Sequence, residues 1–139
     1  IEKIRLGKRL TLDFNINTQS GDTTVLDSLH RTKELGYHIK EALEQGDLER
    51  FALLLHEHWE NKKRRSGKIS NPRIDRWYEL ARENGAVGGK IMGAGGGGFF
   101  MFYCPNDHKA QLRQALTQAG LREMPYDFDF EGAKVLVNF

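Results

Sequence analysis

Apolar and polar residues alternate through Leu10, Leu12, Phe14 and Ile16, a period of two that predicts a half-buried strand over Arg9 to Ile16. A polar turn follows around Ser20, Gly21 and Asp22, and the period then changes. From about Thr23 to Gln45 the apolar positions Leu35, Ile39, Ala42 and Leu43 fall on one face of a helix. Gly46 is placed to end that helix and Asp47 to cap the next. The second helix carries Leu48, Phe51, Ala52, Leu55 and Trp59 along one stripe and runs out in the basic stretch from Asn61 to Lys68. Asn71 reads as an N-cap with Pro72 at the first helical position. Ile74, Trp77, Tyr78 and Ala81 line that third helix, and Gly85 stops it.

Strands are expected at about Ala86 to Met92 and at Phe99 to Tyr103, with a glycine loop between them. Asn106 or Asp107 is placed to cap a helix presenting Leu112, Ala115, Leu116 and Ala119, closed by Gly120. Tyr126, Phe128 and Phe130 alternate as another strand, and Val135 to Val137 is a candidate for a last one. This order predicts an α+β fold, an antiparallel sheet with helices packed on one face. At 139 residues the chain builds one sizeable core, so residues 1–139 are expected to form a single domain.

The loop holds the densest chemical signal. Gly93, Ala94, Gly95, Gly96, Gly97 and Gly98 stand between Lys90-Ile91-Met92 and the apolar run from Phe99 to Tyr103. Glycine reaches positive φ and lacks a Cβ, so such a loop turns backbone N–H groups toward a ligand at close range. A concavity of amides is a common way to hold phosphate. The apolar flanks argue against a flexible linker. The alternative is a tight, ligand-free turn between two buried strands.

Charge and cysteine content narrow the field. With 21 basic and 19 acidic residues the net charge is +2, so no global field favours nucleic acid or a membrane surface. No apolar stretch is long enough to span a bilayer, and no signal-peptide pattern opens the chain. Cys104 is the single cysteine, which excludes an internal disulfide and suits a reducing cytoplasm. Beside the aromatic run it reads as a small buried hydrophobe rather than a nucleophile. The basic run from Lys62 to Lys68 reads as a solvated helix end complementing the helix dipole; the other reading is an anion site. His56 and His58, two residues apart on a helix, face different ways, so no metal site is predicted. Lys90 points either toward a bound phosphate or out to solvent.

The run from Gly88 to Gly98, GGKIMGAGGGG, resembles the third motif of the GHMP kinase superfamily, which phosphorylates galactose, homoserine, mevalonate and related small molecules. Asn71-Pro72-Arg73-Ile74-Asp75, Ala81-Arg82, Gly85-Ala86 and the lead-in from Asp47 to Trp59 match as well. Within the superfamily the likeness is strongest to the D-glycero-D-manno-heptose phosphate kinases, including the segment from Phe128 to Ala133. It covers roughly residues 10 to 137. The resemblance implies a ferredoxin-like C-terminal domain, with ATP and Mg²⁺ used by the complete enzyme. It places Gly93, Ala94, Gly95, Gly96 and Gly97 at the nucleotide and substrate phosphates, with Lys90 as an accessory.

Complete kinases of this kind have two domains, so the resemblance implies an isolated C-terminal half, inactive alone; the start at Ile1 without methionine is consistent with that. No Pro-x-x-x-Gly-Leu-Gly-Ser-Ser phosphate loop and no helix with the usual catalytic aspartate is present in the sequence. Gln19 stands where heptose kinases tend to carry an arginine suited to a sugar phosphate, a departure that leaves the acceptor open. Arg73 is either a phosphate ligand or a helix-start charge. The alternative function is a stand-alone, non-catalytic module on the same fold that binds a metabolite or partner. Self-association through the face left by the absent N-terminal domain is a further reading.

Overall fold

The computed structural model describes residues 23–93 and 95–127. Ala94 and the expected strands at Arg9 to Ile16 and Val135 to Val137 lie outside those residues. So does most of the expected strand from Tyr126 to Phe130, whose first two positions are described without regular structure.

Among the described residues the chain forms helix α1 (Thr23–Glu44), α2 (Leu48–Lys63), α3 (Pro72–Glu83), strands β1 (Gly88–Met92) and β2 (Phe99–Tyr103), and helix α4 (Lys109–Gln118). The fold is mixed α+β, as the pattern predicts. The strands pair antiparallel, with Gly88 opposite Tyr103 and Met92 opposite Phe99. Helix boundaries follow local chemistry. Gly46 takes φ +69° after α1, and the Asp47 carboxylate accepts from the Arg50 amide at 3.0 Å. Asn71 Oδ1 accepts from the amides of Arg73 at 3.1 Å and Ile74 at 3.0 Å, two of the orphan donors at the start of α3.

Three expectations are corrected. Leu43 and Leu48, placed on the apolar stripes, are exposed, because they flank the turn where α1 and α2 diverge from each other's cover. The N-cap of α4 is His108, without a side-chain cap bond, since the chain turns at residues 106–108 before the helix begins. β1 starts at Gly88 rather than Ala86, although the Val87 amide already donates to the Tyr103 carbonyl at 2.9 Å.

Two apolar clusters join helices to the hairpin. Trp59, Ile69, Ile74, Tyr78 and Ile91 form one, and Ala81, Ala86, Cys104 and Leu112 the other; Phe102 packs against both. Tyr78 fixes the junction. Its hydroxyl donates to the Gly89 carbonyl at 3.1 Å. With its proton so used, it accepts from Nδ1 of His56 at 2.8 Å, which assigns the proton of that ring to Nδ1. Burial pushes the Tyr78 phenol up to about 12. β1 lies so close to α2 that a Cβ on Gly88 would stand 1.9 Å from the Ala52 carbonyl oxygen. That approach sets the height of the glycine loop above the end of α2.

Candidate functional site

The loop leaves β1 at Met92 and enters β2 at Phe99, two side chains that stand 44% and 60% exposed and form an apolar lip at the open end of the ladder. Between them Gly93, Gly95, Gly96 and Gly98 all have positive φ, from +72° to +116°. A side chain is disfavoured there, and at Gly95 space closes as well. A Cβ would meet the Ile69 carbonyl oxygen at 3.0 Å and its Cγ2 at 3.1 Å. The Gly96 amide donates to the Ile69 carbonyl at 2.8 Å. This one amide is therefore spent on holding the loop against the segment between α2 and α3. Ile69 belongs to the main core cluster, so the loop is seated on packed structure.

Cations gather beneath this seat. Lys62, at the end of α2, is buried and donates its ammonium to the Gly93 carbonyl. Arg65 donates through Nε to Ser28 Oγ at 2.9 Å and also to Thr32 Oγ1, tying the end of α2 to α1. Burial pushes Lys62 down to about 8, with the charges of Lys90 and Arg65 adding to the effect. Lys90, half-buried on β1, is likewise lowered by burial and by Arg65. His58, one turn before Lys62, is pushed down to about 4 by burial and then by Lys90, Arg65 and Lys62. It is therefore neutral at pH 7, and its Nδ1 is buried without a hydrogen-bond partner. Three mutually repelling cations and an orphaned imidazole nitrogen thus share one partly desolvated region. No carboxylate among the described residues pairs with any of the three cations.

This corrects the reading of the basic run as a solvated helix end in part: Arg64 and Lys68 are exposed, but Lys62 is buried and Arg65 half-buried. The missed signal is helical phase: His58, Lys62 and Arg65 recur at i, i+4 and i+7. Lys62 follows Leu55 and Trp59 on the same stripe in the last turn of α2, and Arg65 lies in the turn just beyond the helix. Lys90 is half-buried beside the same cations. Arg73, read as a phosphate ligand or a helix-start charge, lies over the Trp77 ring at 5.0 Å. His56 is committed to Tyr78.

The neighbouring helices brace the site. Asn61 is buried; its Nδ2 donates to the Ser28 carbonyl at 2.8 Å and to Thr32 Oγ1 at 3.1 Å. Ser28 Oγ donates to the Asn61 carbonyl at 3.0 Å. Among the described residues no helix is long and apolar enough to cross a membrane, and none of the His, Cys, Asp and Glu side chains group to hold a metal ion.

The family model for the GHMP kinases C terminal matches residues 39–122. A D-glycero-alpha-D-manno-heptose 7-phosphate kinase from Campylobacter jejuni is 37% identical over 114 residues, covering 82% of this chain and 34% of that protein. A bifunctional fucokinase/GDP-fucose pyrophosphorylase from Arabidopsis thaliana is 30% identical over 98 residues, covering 70% of this chain and 9% of that protein. The chain thus spans about a third, or less, of the curated relatives it matches. The crystal structure of L. major mevalonate kinase in complex with R-mevalonate shares the fold at TM-score 0.73 and 19% identity, over 81% of this chain and 34% of that one. With the family model covering more than half of its residues, the chain belongs to the GHMP kinases, as their C-terminal domain.

Proposed function

We propose that residues 1–139 form the C-terminal domain of an ATP-dependent sugar-phosphate kinase of the heptose 7-phosphate type, and that the glycine loop lines its active-site cleft. The observation that carries this reading is the loop itself: glycines at positive φ, packed tightly against Ile69 at Gly95 and edged by Lys62. The likeness to the Campylobacter heptose 7-phosphate kinase supports the substrate class.

In this reading the backbone of Gly93, Gly95 and Gly97 faces the phosphates, and the Gly96 amide keeps the loop in register. Lys90 stands on β1, the strand that leads into the loop. ATP supplies the γ-phosphoryl that passes to a sugar hydroxyl. Phosphoryl transfer depends mainly on positioning and charge stabilisation, and a fixed backbone cradle provides both without reorganising. Glycines at positive φ and without a Cβ let the loop backbone approach a phosphate closely; among the described residues no His, Cys, Asp or Glu side chains group to hold a metal ion. Mg²⁺ would be held by the phosphates and by an N-terminal ATP-binding domain outside this chain, which also provides the general base. Alone, residues 1–139 are inactive.

The test is phosphotransfer by the full-length kinase, with Mg-ATP and a panel of heptose and hexose phosphates. Gly96→Val should lower kcat/KM by more than a hundredfold while the melting temperature of the protein moves by only a few degrees. Equal loss of fold and activity would make the loop a structural turn and would sink the reading.

A further inference from the structure

We infer that Lys62, Arg65 and Lys90 form a subsite for a phosphate monoester carried by the acceptor sugar, distinct from the phosphoryl group that is transferred. The inference rests on the kinase reading above and adds to it the means of recognising the acceptor.

The geometry leads there in steps. α2 and β1 are locked together by the approach of Gly88 to Ala52, so cations from the two elements cannot drift apart to relieve repulsion. Lys62 and Arg65 are further pinned, by the Gly93 carbonyl and by Ser28 and Thr32. All these partners are neutral. Nothing among the described residues compensates the three positive charges, and buried charge without a counter-charge is costly. A phosphate monoester carries close to two negative charges at neutral pH and three acceptor oxygens, which matches an ammonium, a guanidinium and a second ammonium. The orphaned Nδ1 of His58 lies in the same region and extends the polar lining.

Two sources carry such a group, the nucleotide and the acceptor. Nucleotide phosphates arrive with Mg²⁺, which neutralises part of their charge and repels cations. The cluster offers cations and no carboxylate for a metal, so a metal-free monoester suits it better. The position agrees. Lys62 reaches the loop at Gly93, its first residue, so the cluster lies beside the cradle and beneath its edge. A small acceptor anchored there by one phosphate can present a distant hydroxyl to the loop.

The experiment uses the full-length protein with Lys90→Met and Lys62→Met, each checked for a native melting transition. Among the described residues the Lys90 side chain makes no hydrogen bond that its loss would orphan, so its variant is the less exposed to misfolding. Inorganic phosphate, titrated calorimetrically without metal, should bind the wild type and bind each variant at least tenfold more weakly. In kinetics, Lys90→Met should lower kcat/KM at least tenfold for the sugar phosphate and less than twofold for the same sugar without its phosphate, with KM for Mg-ATP changed less than twofold. Unchanged phosphate affinity in both variants would overturn the inference. So would a rise in KM for Mg-ATP with the sugar-phosphate preference intact, which would assign the cluster to the nucleotide. Should no sugar phosphate serve as acceptor, the kinase reading fails, and the phosphate titration decides the anion site by itself.

Discussion

Lys62→Met separates the electrostatic cost of the cation cluster from its packing. Lys62 falls from 10.5 to about 8 in the folded chain, chiefly through burial and then through Lys90 and Arg65. The folded state therefore releases the Lys62 proton before the unfolded state does. Between pH 8 and 10.5 the unfolded chain binds more protons, so stability rises with pH across that window, and the full penalty is present at pH 7. At 1.36 kcal/mol per pKa unit the penalty is about 3 kcal/mol, of which about 2 kcal/mol is relieved between pH 8 and pH 10. Replacing a buried charge by an apolar side chain of similar length is often neutral or stabilising. The lost bond to the Gly93 carbonyl costs little, because Gly93 is exposed and water replaces the lysine. Urea unfolding of both proteins at pH 7, 8, 9 and 10 measures the difference; Cys104 and Tyr78 titrate in both and cancel, and Lys90, coupled to Lys62, enters the difference with it. The expected result is a variant at least as stable as the wild type at pH 7, lacking about 2 kcal/mol of the alkaline gain. A variant that keeps the whole alkaline gain, or loses more than about 1 kcal/mol at pH 7, would refute the view that Lys62 is held at a cost to folding.

Other substitutions probe the supports. Gly88→Ala forces a Cβ into the backbone of Ala52 and should destabilise by about 3 kcal/mol or more, read by denaturant unfolding, because α2 must lift from β1. Asn61→Ala removes donors to Ser28 and Thr32 and should cost about 2 kcal/mol, with hydrogen exchange rising along α1 before α3. His58 falls from 6.5 to about 4, so its contribution is complete above pH 6.5 and is lost as pH falls toward 4. Acid unfolding should show up to about 2 kcal/mol of that loss, and His58→Gln should abolish it.

The elements that sequence reads best are set by local chemistry. Asn71-Pro72 starts α3, and Gly46-Asp47 divides α1 from α2, because cap and turn preferences act within a few residues. The hairpin was legible because a glycine run between two apolar segments leaves few other readings. Leu43 and Leu48 obey the helical period yet are exposed, since period alone cannot say where a neighbouring helix ends. Lys62 and Arg65 depart from the pattern for a deeper reason. A dense charge run is normally solvated, and the partners that bury these two lie far away in sequence: Gly93 for Lys62, Ser28 and Thr32 for Arg65. Phase along α2 held the clue, but only the position of β1 turns phase into burial. Lys90 shows the same limit, since alternation in a strand gives its face without saying what covers it.

The most direct measurement is an NMR titration of the protein with Mg-ATP and with a heptose phosphate, following the amides of Gly93 to Gly98 and those of Lys62 and Lys90. A phosphate cradle predicts selective shifts of the loop amides with nucleotide, and of the lysine positions with the sugar phosphate. Shifts confined to other surfaces, with the loop silent at saturation of both ligands, would contradict it.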